Sequence, residues 1–136
     1  MNIVKYIMKD NSPLIKVLIV DDEVDICYFI SRSLIKRNIT TSVTHTLSDA
    51  EKIIEEENPS ILLLDNHLPD GLGINFITKV KTKYPNMKVV MITAHDSPQE
   101  RTKAYSNGAN YFLSKPFTLT EINNVVDLLI NASSRN

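Results

Sequence analysis

The sequence predicts an α/β protein, a doubly wound parallel sheet in which five strands alternate with five helices. Two observations carry this expectation. Residues 16–20, 61–64 and 89–92 are short, almost wholly apolar runs, as expected of strands buried on both faces of a parallel sheet. Between them lie segments whose apolar residues recur every three or four positions, the spacing of one helix face. Right-handed crossovers leave a small open sheet or a closed barrel, and five units are too few for an eight-stranded barrel.

The elements follow in order. Residues 1–14 precede the pattern; Ile3, Val4, Ile7 and Met8 would make one apolar helical turn, but an N-terminal tail is the simpler expectation. After the first strand, Ile26, Ile30 and Leu34 repeat through residues 24–37, with Val24, Cys27 and Ile35 widening the stripe. Residues 39–44 are a weaker strand candidate. Ser48, with Glu51 three residues on, forms the pattern of a capping box for a helix over 49–57, which Asn58-Pro59 stops. Ile74, Ile77 and Val80 mark a third helix ending at Tyr84-Pro85. Residues 98–107 form a fourth, closed by Asn107-Gly108. Residues 110–113 are an equally weak candidate for the last strand. Thr118 and Glu121 cap a fifth helix with Ile122, Val125, Val126, Leu129 and Ile130 inward, and residues 131–136 read as loose.

Composition narrows the function. At 136 residues the chain suits one domain, and 43% hydrophobic with 23% charged residues suits a soluble globular protein. A net charge of −1 and a pI near 6.3 argue against a nucleic-acid partner. No apolar run is long enough to cross a membrane, and Lys5, Lys9 and Asp10 spoil a signal peptide. Cys27, the single cysteine, reads as a small core residue. A reducing cytoplasm fits these features.

In an open α/β sheet, ligands bind at the carboxyl ends of the strands. The first strand here runs into Asp21-Asp22, the third into Asp65, the fourth into Thr93-Ala94 and the fifth into Ser114-Lys115-Pro116. A single Asp after a strand is most often a helix cap, and a single Thr a turn residue. Their conjunction on one edge is different. Converging carboxylates repel one another and would partly protonate unless a cation neutralised them. Mg²⁺ answers that need with one or two carboxylates and several waters. Phosphoryl transfer needs charge neutralisation on the phosphoryl oxygens, which Mg²⁺, the Lys115 ammonium and the Thr93 hydroxyl would supply. One carboxylate would then serve as nucleophile.

Asp21-Asp22, Leu62-Leu63-Leu64-Asp65, Leu68-Pro69-Asp70-Gly71, Ile92-Thr93-Ala94, Gly108-Ala109 and Lys115-Pro116-Phe117 resemble, in order and spacing, the receiver domains of two-component response regulators. The resemblance covers residues 16–130. It implies a flavodoxin-like receiver fold with strand order 2-1-3-4-5, a receiver domain over 15–132 and tails at 1–14 and 133–136. It implies a regulatory phosphoacceptor rather than an enzyme, one that assists its own phosphorylation and dephosphorylation. Asp65 would take phosphate from a sensor histidine kinase or a histidine phosphotransfer protein. Asp22 would bind Mg²⁺ directly, with Asp21 helping, Asp65 as a further ligand and the backbone carbonyl of His67 completing the set. Thr93 would be the switch hydroxyl, Lys115 the phosphoryl partner, the Lys115-Pro116 peptide cis and Phe112 the switch aromatic. Phe112 carries no hydroxyl, so it would signal by ring packing, while Tyr111 should face the other side of the strand. Output would pass to a downstream protein target through the helix 4, strand 5 and helix 5 face, where Gln99, Glu100, Arg101, Lys103, Asn123 and Asn124 lie. No decisive dimer pattern stands on that face, though the resemblance allows a phosphorylation-dependent dimer. No direct nucleic-acid or membrane contact is implied.

Three alternatives are weaker. A phosphohydrolase would carry an acid–base Asp two residues after the nucleophile, where this chain has His67. A receiver-like module that never takes phosphate usually lacks an acidic-pair residue or the lysine, and both are present here. A dinucleotide site needs a Gly-rich first turn, and the chain has only three glycines. His67 and His95 stand two residues after Asp65 and Thr93, as exposed loop residues or as bulk limiting the access of water to a phosphoryl group. Beyond the fifth helix there is no stretch long enough for an output domain. The chain is therefore a single-domain regulator or the receiver part of a longer protein.

Overall fold

β1 (Lys16–Val20), α1 (Val24–Ile35), β2 (Thr40–Thr44), α2 (Leu47–Glu57), β3 (Ile61–Asp65), α3 (Gly73–Lys83), β4 (Lys88–Thr93), α4 (Pro98–Ser106), β5 (Tyr111–Ser114) and α5 (Leu119–Ser134) alternate along the chain. The computed structural model describes residues 15–134, and the expected tail over residues 1–14 lies outside them. The sheet is parallel throughout, in the order β2-β1-β3-β4-β5. His67–Leu68 and Gly71–Leu72 form a separate two-residue antiparallel hairpin between β3 and α3.

Each strand distributes its side chains alternately between two cores. Leu18, Val20, Leu62, Leu64, Val89, Met91 and Phe112 pack with Ala50, Ile54, Ile77 and Ala104 from α2, α3 and α4. Val17, Ile19, Ile61, Leu63, Val90, Ile92 and Leu113 pack with Cys27, Ile30, Leu34, Ile122 and Val126 from α1 and α5. Covered on both faces, β3 is buried along its whole length, whereas the edge strand β2 is mostly exposed or half-buried. This is why residues 61–64 are continuously apolar and residues 40–44 are not.

Several local expectations change. In α1 the core line is Cys27, Ile30 and Leu34, while Val24 and Ile35 lie to one side and are 64% and 56% exposed. That helix stops at Ile35, because Asn38 turns left-handed at φ 61° and redirects the chain into β2. The cap of α2 is Thr46 rather than Ser48: the Thr46 hydroxyl accepts from Asp49 N–H. The N–H groups of Leu47 and Ser48 instead donate to the Asp70 carboxylate, both at 2.9 Å, so a distant loop completes the cap and helix formation starts two residues earlier. Glu51, expected to complete the box, pairs with Lys79. The Thr118–Glu121 capping box does form, with Glu121 N–H donating to the Thr118 hydroxyl and Thr118 N–H to the Glu121 carboxylate. α5 then continues to Ser134, through residues 131–134 that read as loose.

Candidate functional site

Register brings the strand ends level. Val20 is opposite Leu64, so Asp21 continues beside Asp65; Asp65 is opposite Ile92, and Thr93 is opposite Ser114. One edge of the sheet therefore receives side chains from the ends of β1, β3, β4 and β5. α3 closes against this edge because residue 73 is glycine: a Cβ there would fall 2.3 Å from the Asp65 carbonyl oxygen.

Asp21 and Asp65 are buried and Asp22 is exposed, and one carboxylate oxygen from each lies within 4.8 Å of the others. Asp21 Oδ1 accepts from Glu23 N–H at 2.8 Å, and Asp65 Oδ1 from Asn66 N–H at 3.0 Å. Lys115, its side chain 12% exposed, places Nζ 3.0 Å from Asp21 Oδ2 and 3.4 Å from Asp65 Oδ1. The Lys115-Pro116 peptide is cis, and Lys115 N–H donates to the Thr93 carbonyl. Thr93 is wholly buried; its hydroxyl accepts from His95 N–H at 3.0 Å.

Electrostatics follow from crowding in a buried place. Desolvation, joined by the Asp21 charge, pushes Asp65 up to about 6 against the pull of Lys115. Desolvation raises Asp21 as well, opposed by its hydrogen bonds from Glu23 and Lys115. Burial disfavours the Lys115 ammonium, yet the Glu23 and Asp21 carboxylates outweigh it and raise its pKa. Burial pushes the Cys27 thiol up to about 12, and its S–H donates to the Asp21 carbonyl, as suits a core residue rather than a nucleophile. An acidic, oxygen-only donor set facing one ammonium is the kind that a hard divalent cation occupies.

All three histidines lie around this edge. His45 Nδ1 is 2.8 Å from the Asp21 carbonyl oxygen, and the exposed rings of His67 and His95 meet edge to face, centroids 4.7 Å apart. Phe112 is buried at 3% exposure, while Tyr111 faces the opposite core. The Arg101 guanidinium lies 4.7 Å over the Phe112 ring and is held by Asp96 through two bonds of 2.7 and 2.8 Å. Ser114 Oγ also bonds Asp96. These bonds hold the Asp96 carboxyl down at about 2.

Several of these roles escape a reading of the sequence. Asn66 is buried beside Asp65, accepts from Ile74 N–H and donates to Glu100 of α4, which joins the third strand end to the helix 4 face. Glu23 contacts Lys115 at 2.7 Å. Its only sequence signal is that it lengthens the acidic pair to a run of three. Of the residues expected on the helix 4, strand 5 and helix 5 face, Glu100 turns to Asn66, Arg101 covers Phe112, and Asn123 bonds Ser33 and Arg37 toward α1.

Comparison with known proteins agrees with this geometry. The model of the response regulator receiver domain family matches residues 17–127. The chain is 30% identical to the DNA-binding transcriptional regulator NtrC of Proteus hauseri over 105 residues, which is 77% of this chain and 22% of that protein. It thus spans less than a quarter of that relative's length. A CheY-like receiver domain protein from Methanospirillum hungatei JF-1 superposes with a TM-score of 0.86 at 24% identity, covering 90% of this chain and 98% of the other. The beryllofluoride-activated NtrC4 receiver domain dimer gives 0.83 at 35% identity, covering 87% and 98%. The parallel 2-1-3-4-5 sheet, the acids and lysine gathered on its carboxyl edge and the match over residues 17–127 lead to one statement: this chain belongs to the response regulator receiver domain family.

Proposed function

We propose that this domain is a Mg²⁺-dependent phosphoacceptor that takes its phosphoryl group on Asp65. The observation that carries the reading is the reach of Lys115 Nζ to both Asp21 and Asp65 where three aspartates converge. In transfer, an Asp65 carboxylate oxygen bonds to phosphorus as the bond to the donor's histidine nitrogen breaks, and that nitrogen keeps the electron pair. Lys115 neutralises charge on the phosphoryl oxygens. The Thr93 hydroxyl turns to one of them, exchanging its bond from His95 N–H, a neutral contact worth about 1 kcal/mol. Asp22, Asp65 and the His67 carbonyl, helped by Asp21, would hold the Mg²⁺, which when bound would supply countercharge for the transfer.

The donor is a sensor histidine kinase or a histidine phosphotransfer protein in the cytoplasm. Among the described residues no helix is long and apolar enough to cross a membrane. Output passes through the face of α4, β5 and α5 to a protein target, with Thr93 and Phe112 as the switch. Because Arg101 covers the Phe112 ring, any movement of that ring works against the Asp96–Arg101 pair. Incubation with a small acyl phosphate and Mg²⁺, followed by intact mass and peptide mapping, tests the reading. One adduct on Asp65 is expected; no adduct, or one elsewhere, refutes it.

The metal has its own signature. Mg²⁺ raises the melting temperature by several degrees, since a ligand at a hundred times its Kd stabilises the native state by about 2.7 kcal/mol. In Asp22→Ala this rise disappears, while the metal-free variant melts no lower than wild type because one like charge is gone. A full-sized Mg²⁺ effect in that variant contradicts the ligand assignment.

The paired rings of His67 and His95 also bear on lifetime. An acyl phosphate is lost when water attacks in line, and these rings stand two residues beyond Asp65 and Thr93. Slow self-dephosphorylation is expected, accelerating several-fold in His67→Asn, whose smaller amide admits and orients water. Phosphate loss timed at fixed Mg²⁺ measures this. Equal rates, or a slower variant, make the histidines bystanders.

A further inference from the structure

We propose that Glu23 is the counter-ion Lys115 gives up when a phosphoryl group arrives, a positioning residue that restrains how readily the site accepts one. This rests on the phosphoacceptor reading of Asp65. An ammonium has three N–H donors. Lys115 Nζ lies 2.7 Å from Glu23 Oε1, 3.0 Å from Asp21 Oδ2 and 3.4 Å from Asp65 Oδ1, so its three closest partners are all carboxylates. The shortest of these contacts, to Glu23, is a hydrogen bond, and it competes directly with a phosphoryl oxygen for the ammonium.

Burial decides which contact yields. The Asp21 side chain is 3% exposed, and losing Lys115 would leave its charge in a poorly solvated place, while the charge of Asp65 passes to the phosphoryl oxygens that Lys115 then follows. The Glu23 side chain is 57% exposed, so water takes over its bond at little cost. Nor does Glu23 serve its own helix: it stands at the N-cap of α1, yet its side chain makes no capping bond. Its contact with Lys115 joins residues 92 apart in sequence, across the site. The charge balance points the same way. Asp21, Asp65 and Glu23 contact the Lys115 ammonium, Asp22 stands beside the two aspartates, and a phosphoryl group brings further negative charge to the same place. Glu23 therefore restrains acceptance twice, by occupying a donor and by repelling the newcomer.

The test uses beryllofluoride with saturating Mg²⁺ as the probe, titrated by NMR against wild type and Glu23→Gln. The variant keeps size and removes charge on an exposed side chain. It should bind about two- to fivefold more tightly at low ionic strength, the range set by an exposed ion pair. The advantage should shrink at about 0.5 M salt, where charges this exposed are screened; a purely structural role would not respond so. Equal or weaker binding, or an advantage that salt leaves unchanged, overturns the proposal while leaving Asp65 as phosphoacceptor. If wild type neither binds beryllofluoride nor is labelled by an acyl phosphate, the phosphoacceptor reading fails and the role of Glu23 falls with it.

Discussion

Asp65→Asn should accept no phosphoryl group from a small acyl phosphate, while keeping the fold and melting cooperatively. The amide has nearly the shape of the carboxylate, so the packing at the end of β3 survives, and its oxygen can still accept the bond from Asn66 N–H. What is lost is the nucleophile. Residual transfer to Asp21 is disfavoured because that carboxylate is occupied by Glu23 N–H and Lys115. Intact mass on both proteins under the same donor and Mg²⁺ gives the answer. Undiminished labelling of the variant would sink the assignment of Asp65. The variant should also be more stable than wild type without metal at neutral pH, since one buried, crowded charge is gone.

That gain follows from the pH dependence, the second large effect. Asp65 is raised from 3.8 to about 6, so the folded protein holds this proton more firmly than the unfolded chain. Between those values the native state binds more protons. Stability from this group is therefore present at low pH, declines as pH rises through about 4 to 6, and stays reduced at neutral pH. About two pK units at 1.36 kcal/mol each set the ceiling near 3 kcal/mol. Asp21 is shifted in the same direction and adds to the slope. Asp96, held down at about 2 by Arg101 and Ser114, acts oppositely and below this window: its contribution is lost as pH falls from about 4 toward 2. Urea midpoints at pH 4.5 to 7.5, in wild type and Asp65→Asn without divalent metal, separate these effects. Stability of wild type relative to the variant should fall across the window, and Mg²⁺ should flatten that fall. A constant difference refutes the strained carboxylate.

The fold and the principal acids were legible because they are encoded locally. Residues 61–64 are apolar without interruption because β3 is covered on both faces, and Asp65 ends that run because the strand emerges there at the carboxyl edge. The Thr118–Glu121 box is readable for the same reason, since both partners lie within one helical turn. Contacts between elements are not written in neighbouring residues. Thr46 rather than Ser48 caps α2 because Asp70, more than twenty residues away, satisfies the next two amides. Val24 and Ile35 belong to an apolar repeat but face outward, because the rotation of α1 is set by the packing of Cys27, Ile30 and Leu34 on the sheet. Arg101 on Phe112 and Glu23 on Lys115 depend on helix placement and strand register together. By itself the sequence determined the order of elements, the parallel sheet and which residue types reach its carboxyl edge, since each depends on periodicity along one segment. Tertiary structure alone decided which of those groups meet, because register and helix rotation are set by both cores packing at once.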